Sequence, residues 1–575
     1  MVMVLINWLY IAVTSFLTGY GILSLFANLF NYKIRHGMAY FWAGLAFVTV
    51  YAQFFSLVCG VSTGANILLC MTSIACGCLY RKDLGAYLTK QVQRLKTEKW
   101  RVPVYVFLIL LFSYGTSRGY MHFDTSLYHA QSIRWIEEYG VVPGLANLQS
   151  RFGYNSAAFP LTALYSMKGV FGQSLHTTAG FFALLASFLA LDLYKVFMGK
   201  KADLADFARI GLVFYLGVIF SQMMSPASDY YAQVLLFVIL ILWLEEDIYQ
   251  KETGGENATP YGLLCILIVY AVTIKFSVAV LLLLVIKPAV MLLKKKDIRQ
   301  IIGCIGTGFI TALPFFIRNV IISGWLLYPF AGIDLFSVDW KIPKGQVQYD
   351  SMEIGLYGRG ITDVTKYATP FSEWFPAWFT GLKALEKVFI LATVAAFAVG
   401  VIYLLWIYIR IRKNGQKQLW NPSWNFGLVF LVFGISTVFW FVSAPLVRYG
   451  YAYITVVPLI TFGEVILCIW NAKKIQPYSK HIQRAFCIVL AGFLLTRVDG
   501  LLDDIRRTWK EPYYTAQMDY IDGDAVTQVV DGVTFYVPTE SGLIGYEKFP
   551  SSLLVWPIEL RGESIEEGFR QIIQE

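Results

Sequence analysis

The densest group of chemically capable side chains lies in residues 122–155, which read HFDTSLYHAQSIRWIEEYGVVPGLANLQSRFGYN. This is the first long polar-rich segment between apolar runs. The side chains in it that could take part in chemistry are Asp124, Tyr128, His129, Arg134, Arg151 and Asn155. A carboxylate can orient or deprotonate an attacking hydroxyl, and a cation can neutralise a departing phosphate. The stretch is therefore the first candidate for an active site.

The local pattern of this stretch predicts a helix that begins at Asp124 or Thr125, where either side chain can cap the first turn. Gly140 suits the position just after the last turn, and Pro143 prevents continuation. Two interpretations of Asp124 stay open. It is either an N-cap on a helix lying at the membrane surface or an active-site carboxylate at a membrane boundary.

Further candidate side chains lie near the ends of apolar runs: Asp229, Lys275, Arg318, Asn319, Arg448 and Tyr449. Charges at a membrane boundary are costly and commonly mark a site or an ion pair. Structural interpretations stay open here too. Asp229 can cap its helix, Lys275 can extend its ammonium to the interface, and either arginine can hold a loop by a salt bridge. Their convergence with Asp124 on one membrane face nevertheless favours a common pocket.

Composition determines the class of protein. Of the 575 residues, 57% are hydrophobic and 15% charged, and the mean hydropathy is +0.57. Soluble domains are about half apolar and a quarter charged, so an ordinary soluble protein is excluded. The net charge of +9 reflects basic cytoplasmic loops, and it does not indicate a nucleic-acid partner. All eight cysteines lie within or beside apolar runs, which predicts neither a disulfide framework nor a cysteine metal site.

Apolar runs long enough to span a bilayer predict an all-α polytopic membrane protein with about fourteen transmembrane helices. The expected spans are approximately 4–30, 38–58, 62–79, 102–120, 176–197, 207–222, 230–246, 261–274, 277–293, 301–318, 384–409, 424–443, 450–470 and 483–498. Ser156 to Phe171 is short and broken by Pro160, so we expect a second interfacial helix there and no crossing. A long polar and aromatic loop is expected over 319–382.

Lys and Arg residues orient these spans. More than half of them lie in loops at 31–37, 80–101, 195–209, 245–260, 287–300, 410–420 and 471–484. Alternation places all seven loops on one side, which the positive-inside rule makes the cytoplasm. The Asp124 helix, the 319–382 loop and both termini are then expected outside.

Three parts of the chain are expected. Residues 1–101 hold N-terminal transmembrane helices and a basic cytoplasmic loop, and 102–498 form a transmembrane catalytic core with exterior loops at 121–175 and 319–382. Residues 499–575 form a small exterior α+β tail. In that tail VTFYVP and PIELRG are expected to be strands, and SIEEGFRQIIQE a helix capped by Ser564.

An Asp-bearing helix in an early exterior loop resembles the GT-C superfamily of integral-membrane glycosyltransferases. The motif D-x-x-x-Y-H…I-R-W-I…G-x-V-P-G-L-A-N-L…R-x-G-x-N-S is similar to that of an uncharacterised bacterial subgroup linked with surface-polysaccharide loci. RNVIISGWLLYP and FWFVSAPLVRYG resemble later motifs of that subgroup. The chain has Leu446 where the subgroup carries an acid after SAP, and the first loop has no metal-binding D-x-D. Both departures bear on the mechanism and on metal use.

The resemblance implies that Asp124 is the catalytic carboxylate of the first loop and Asp229 a second one. It implies a polyprenyl-(pyro)phosphate-linked sugar donor and a glycan or lipid-linked acceptor among membrane lipids. The residues expected to bind these substrates are Tyr128, His129, Arg134, Arg151, Asn155, Lys275, Arg318, Asn319, Arg448 and Tyr449. No cofactor is expected, although a divalent metal stays open.

The predicted protein is therefore a glycosyltransferase of the bacterial inner membrane with its active site on the exterior face. A polysaccharide polymerase or ligase is an alternative, because it also uses lipid-linked donors. A transporter or flippase of lipid-linked sugars is a further alternative. Inverted repeats and charges at the bilayer midplane are typical of such transporters, and neither pattern is evident in this sequence.

Overall fold

The computed structural model describes residues 1–254, 257–413, 422–470, 479–539 and 542–572. The protein is mostly helical, at 71%, and has a small β region near the C-terminus. Within these described ranges, eight helical segments are long and apolar enough to cross a membrane. The predicted class, a helical multi-pass membrane protein with a small C-terminal β-containing tail, is thereby confirmed.

The first five helices are α1 Val2–Phe30, α2 Ala39–Ser56, α3 Thr63–Leu79, α4 Arg81–Thr97 and α5 Arg101–Ser117. The first two helices pack very closely, since a Cβ on Gly44 would lie 1.7 Å from the carbonyl oxygen of Ser15. Such close approach of small residues is typical of membrane helices. α3 and α4 meet at an angle of 85°, so most of the basic segment 80–101 is a helix that turns away from the bundle.

The next eight helices are α6 Ala130–Glu138, α7 Ala158–Leu164, α8 Lys168–Phe171, α9 Thr178–Ala190, α10 Tyr194–Phe197, α11 Leu204–Ile219, α12 Ser228–Thr253 and α13 Tyr261–Ile274. The segment from Ser156 to Phe171 is the two short helices α7 and α8, and not a single interfacial helix. It breaks at Met167, where φ is +49°. α7 is buried against α2 and α6. α12 lies at the centre of the bundle and is buried from Asp229 to Leu244, as expected of a helix that is apolar on all sides.

Four helices follow: α14 Ile286–Lys295, α15 Ile298–Ser323, α16 Lys344–Gly358 and α17 Phe371–Gly381. The predicted connection over 319–382 contains regular structure, because α15 continues to Ser323 and two further helices form within it. α17 carries Trp378 into the core, where its indole donates to the carbonyl oxygen of Pro445 at 2.9 Å. α16 has no clear apolar stripe, and for that reason its sequence looks like a loop.

The last helices and the strands are α18 Ala384–Lys413, α19 Pro422–Ser443, α20 Val447–Trp470, α21 Ser479–Leu495, α22 Val498–Thr508, β1 Ala525–Val530, β2 Val533–Pro538, β3 Ile558–Leu560 and β4 Phe569–Gln571. β1 pairs with β2, and β3 with β4, both antiparallel. The strands expected at VTFYVP and PIELRG are confirmed. The helix expected from Ser564 is wrong. Ser564 forms a capping box with Glu567, but a single turn follows before β4 begins.

The membrane-compatible helices span Val2–Phe30, Ala39–Ser56, Thr178–Phe197, Phe276–Lys295, Ile298–Ser323, Ala384–Arg410, Phe426–Ser443 and Val447–Trp470. The bent pair α3–α4 would make a ninth, and α5 and α13 are apolar but shorter. Among the described residues the count is therefore eight or nine, and about fourteen crossings stays a prediction. In the expected basic loops at 410–420 and 471–484, residues 414–420 and 471–478 lie outside the described residues.

Candidate functional site

Four charged side chains from distant parts of the chain meet at one end of the helical bundle. Asp124 precedes a π-helical turn, Thr125–His129, that leads into α6. Asp229 lies in the first turn of α12, Lys275 directly follows α13, and Arg448 lies in the first turn of α20. We call Asp124, Asp229, Lys275 and Arg448 the site cluster, and the end of the bundle that bears it the site face.

Arg448 is the centre of the site cluster. Its Nη2 donates to Oδ2 of Asp124 at 2.9 Å, and its Nε lies 3.4 Å from Oδ2 of Asp229. The same Nη2 lies 3.3 Å from the hydroxyl oxygen of Tyr449. One guanidinium therefore links both carboxylates that the sequence singled out as catalytic candidates.

Lys275 supplies the second cation. Its ammonium is paired with Oδ1 of Asp229 and lies 4.0 Å from the ring centroid of Tyr449, a cation–π arrangement. The interpretation of Lys275 as a lysine that only extends to the interface is wrong. The site cluster thus holds two cations and two carboxylates, which neutralise one another when both acids are ionised.

The two carboxylates differ in exposure. The side chain of Asp124 is 25% exposed, whereas that of Asp229 is 6% exposed. Asp124 lies at the N-cap position of the π-helical turn, but its side chain makes no cap hydrogen bond, so the interpretation of its carboxylate as a helix cap is wrong. The corresponding interpretation of Asp229 is also wrong, because the residue at the N-cap of α12 is Ala227. Asp124 is the carboxylate that a substrate can reach.

Burial opposes ionisation of Asp124, but the adjacent guanidinium of Arg448 favours the charged form, and the pKa of this carboxyl lies below its ordinary value. Asp124 is therefore ionised at neutral pH. Its pKa also depends on Arg448, since the guanidinium hydrogen-bonds the charged form directly. A ligand that drew Arg448 away would raise the pKa of Asp124 and make it a better proton acceptor.

His122 belongs to the site although the sequence analysis gave it no role. Its Nδ1 accepts from the backbone N–H of Asp124 at 3.1 Å and lies 3.0 Å from Nη1 of Arg448. With two donors aimed at it, Nδ1 carries no proton, so the neutral ring has its proton on Nε2. Burial and then the charge of Arg448 lower the pKa of His122. A neutral His122 therefore orients the guanidinium and adds no charge to the site.

Two further polar residues hold the site and were missed from the sequence. Ser225 Oγ accepts from the backbone N–H of His122 at 2.8 Å. Gln233, one turn beyond Asp229, donates to the carbonyl oxygen of Arg448 at 2.6 Å and accepts from the N–H of Ala452 at 2.9 Å. A lone buried glutamine in the apolar run of α12 was the signal that could have found Gln233.

Tyr128 and His129 lie beside the site cluster, as expected from their positions one turn after Asp124. The ring of Tyr128 makes edge contacts with His129, at 4.4 Å between centroids, and with Tyr154, at 5.9 Å. His129 is buried, and burial lowers its pKa to about 3. Both side chains pack beside the site cluster, and neither contributes a charge at neutral pH.

The other five expected site residues have their contacts elsewhere: Arg134, Arg151, Asn155, Arg318 and Asn319. Arg134 donates to backbone carbonyls of the C-terminal tail, and Arg151 lies 3.5 Å from Glu353. Arg318 is buried, donating to Asn155 Oδ1 at 3.2 Å and to Ser56 Oγ. Asn319 donates to the carbonyl oxygen of Leu326. These side chains hold segments of the site face together, and the structure does not bring them to Asp124.

The C-terminal tail holds the Asp124 segment in place. The backbone N–H groups of Ile544 and Gly545 donate to the carbonyl oxygen of Ser126 at 3.1 and 2.9 Å. Gln131 donates to the carbonyl oxygens of Gly545 and Lys548, both at 3.0 Å. The tail contributes only backbone groups to these particular hydrogen bonds, so they do not depend on which side chains the tail carries at Ile544, Gly545 and Lys548.

The donor groups of the site cluster do not fit a metal ion. Within the part of the chain that the structure describes, no group of three or more His, Cys, Asp and Glu residues could hold a cation. Both carboxylates are engaged by cationic side chains instead.

Residues 1–455 match a family model described as a domain of unknown function (DUF8201). The chain belongs to this family. Comparison with curated proteins and with solved structures found no match. All members of the site cluster lie inside the region that defines this DUF8201 protein, as do His122 and Tyr449. Residues 544–548 of the tail, which hold the Asp124 segment, lie outside it.

Proposed function

We propose that this DUF8201 protein is a membrane glycosyltransferase of GT-C type. It would move a sugar from a polyprenyl-(pyro)phosphate-linked donor to a glycan or lipid-linked acceptor. The observation that carries the proposal is the partly exposed Asp124 carboxylate held 2.9 Å from Arg448, with Lys275 in the same cluster. One such group can accept a proton from an attacking hydroxyl, and the other two can hold the phosphate that leaves.

The proposed reaction balances with these residues alone. The acceptor oxygen forms a bond to the anomeric carbon of the donor sugar, and its proton passes to Asp124. The bond between the anomeric carbon and the phosphate oxygen breaks, and its electron pair leaves with the polyprenyl (pyro)phosphate. Arg448 and Lys275 would neutralise that charge. When the donor phosphate engages Arg448, the pKa of Asp124 would rise, so that this carboxylate accepts the acceptor's proton more readily. Asp229 keeps both cations in position.

The location of the cluster suits a lipid-linked donor. Its residues lie at the ends of apolar helices, so a polyprenyl chain entering between helices would bring its phosphate to the cations without leaving the membrane. The proposal includes a GT-C-like arrangement of about fourteen crossings, a bacterial inner-membrane location and an exterior site, in surface-glycan synthesis. No cofactor takes part in the proposed reaction.

Asp124→Asn tests the proposal directly. In a strain that depends on this protein for a surface glycan, we expect product to fall roughly 10²- to 10⁴-fold, because the amide cannot accept the proton. Membrane levels of the protein should be unchanged and a lipid-linked sugar should accumulate. The matched control is Asp363→Asn, an exposed residue whose side chain caps a short turn, and asparagine caps equally well.

Normal glycan with Asp124→Asn at matched protein level would reduce Asp124 to a structural role. Normal glycan after deletion of the whole protein would overturn the glycosyltransferase proposal itself.

A further inference from the structure

A cavity of about 490 Å³ opens on the site face, away from the site cluster. It lies between the turn that ends α2, residues 56–60, and the end of α6. Two half-buried aromatic rings, Tyr139 and Trp340, and two carboxylates, Glu138 and Glu566, line it. The volume lies within the range of small-molecule sites, about 300–1,000 Å³.

Backbone contacts fix the shape of this cavity. The N–H of Val61 donates to the carbonyl oxygen of Ile136 at 2.8 Å, and the N–H of Val141 to that of Ser56 at 2.9 Å. A Cβ on Gly60 would lie 2.5 Å from the carbonyl oxygen of Glu137. Gly140, the residue expected after the last turn of α6, has a φ of +80°. The turn and the helix end therefore interlock, and the space between them is built rather than accidental.

The rings of the cavity are held in place. The indole N–H of Trp340 donates to the carbonyl oxygen of Val320 at 3.1 Å, and the guanidinium of Arg561 stacks 4.4 Å from the ring centroid. Tyr139 stacks on Phe549, with 6.1 Å between centroids. Fixed aromatic rings offer an apolar surface at little entropic cost on binding.

The carboxylates decide the class of ligand. The side chain of Glu138 is 42% exposed, and Glu566 is exposed on a turn of the tail. Glu138 is paired with Lys168 at 3.2 Å through Oε1, and carboxylates accept further hydrogen bonds from hydroxyl groups. Aromatic rings beside carboxylate acceptors suit a sugar, whose C–H face packs on a ring while its hydroxyls donate at the edge.

The distance to the site cluster decides the size of the ligand. Glu138 follows Asp124 by fourteen residues along a nearly continuous helix, which is about 20 Å at 1.5 Å per residue. A single sugar cannot reach both places. We propose that the cavity binds a part of the glycan chain remote from its reacting end, so that the acceptor is an oligosaccharide. The inference rests on the proposed function and favours its polymerising form.

The experiment uses the full-length protein in nanodiscs. The probes are oligosaccharides of graded length, released by mild acid from the surface glycan of the host strain, with binding measured by calorimetry. We expect affinity to rise with length until the chain spans about 20 Å and then to level off. Trp340→Ala should weaken binding of the long probes about two- to tenfold, as expected for loss of one aromatic contact. It should leave binding of the short probes unchanged.

Two variants keep this test interpretable. Glu566→Gln changes an exposed side chain, so we expect the fold to be unaffected and binding of the long probes to weaken in the same way. Trp556→Ala removes a tryptophan that is 48% exposed and does not line the cavity, so it should have no effect.

Affinity independent of length, or equal effects of Trp340→Ala and Trp556→Ala, would overturn the inference, as would a cavity that takes only lipid. If one of these contrary binding results is obtained while Asp124→Asn still abolishes product, only the cavity proposal fails. If Asp124→Asn and deletion leave the glycan intact, the proposed function fails first.

Discussion

The central helix α12 carries an ionic cluster at each end, and the two clusters are built differently. At its start Asp229 is paired with Lys275 and Arg448. Near its end Asp247 is paired with Lys287 and accepts from the hydroxyl of Tyr261. Asp229 and Asp247 are eighteen residues apart, about 27 Å along the helix. That length is close to the roughly 30 Å hydrocarbon core of a bilayer.

The pair at the end of α12 is closed to solvent. Asp247 and Lys287 are each 6% exposed, and the neighbouring Arg209 is 1% exposed and paired with Asp206 and Glu245. In the site cluster, Lys275 is 22% exposed and Arg448 is 17% exposed. One guanidinium there serves two carboxylates and an imidazole. Closed pairs suit stability, whereas shared and accessible charges suit a site whose partners change during a reaction.

The largest effect on stability should follow from removing one partner of the buried Asp247–Lys287 pair. Lys287→Met leaves Asp247 buried without its cation, and we expect a loss of about 3–5 kcal/mol in the free energy of unfolding. The measurement is thermal unfolding of the purified protein in detergent. Lys90→Met, at an exposed position of α4, is the control and should have little effect.

A second substitution checks the cause. Adding Asp247→Asn to Lys287→Met removes the unpaired charge and should recover part of the lost stability. If the double variant is no more stable than the single one, then packing of the lysine stem matters more than the charge, and the two clusters do not differ in the way their charges are held.

Lowering the pH should destabilise the protein through a buried imidazole on the site face that has no ion-pair partner among the described residues. His176 is fully buried without a ring hydrogen-bond partner among the described residues, and burial lowers its pKa to about 3. The unfolded chain takes up the proton below about pH 6.5 and the folded one does not. Stability is therefore lost as pH falls from 6.5 towards 3, by about 2 kcal/mol at pH 5 from this residue alone.

The substitution His176→Phe removes that titration, so the dependence of the melting temperature on pH between 7 and 5 should become flatter. His481→Phe, on the exposed surface of α21, should leave the slope as it is. An unchanged slope in both variants would mean that another group carries the acid response.

The smallest effect is expected from an ion pair on the site face outside the site cluster. Arg151 lies 3.5 Å from Glu353, and the two side chains are 30% and 39% exposed. Exposed pairs contribute about 0–1 kcal/mol, so Arg151→Gln should change unfolding by less than about 1 kcal/mol and product formation by less than about threefold. A much larger loss of product at unchanged stability would indicate that Arg151 binds substrate, as the sequence predicted.

Several features followed from local sequence. The helical membrane class depends on composition and on the length of apolar runs, and both are properties of short segments. Gly140 ends α6 as expected, because the left-handed conformation there favours glycine whatever lies around it. The strand at Val533–Pro538 was likewise evident from its β-branched and aromatic residues.

Where local signals and packing disagreed, packing prevailed. Ser564 forms its capping box, yet the chain turns after Glu567 and buries Phe569 beside β3. A cap stabilises one turn by about 1 kcal/mol, while burying a phenylalanine and pairing a strand stabilise more.

Sequence alone determined which residues of this protein could do chemistry, since residue type and position along apolar runs identified all four members of the site cluster. Only the tertiary structure decided which of the candidates meet. Arg448 contacts Asp124 across 324 residues of chain, whereas Arg318, equally plausible beforehand, is buried beside Asn155 and Ser56. The reason is physical: the partner of a charge is set by how whole helices pack, and no short segment contains that information.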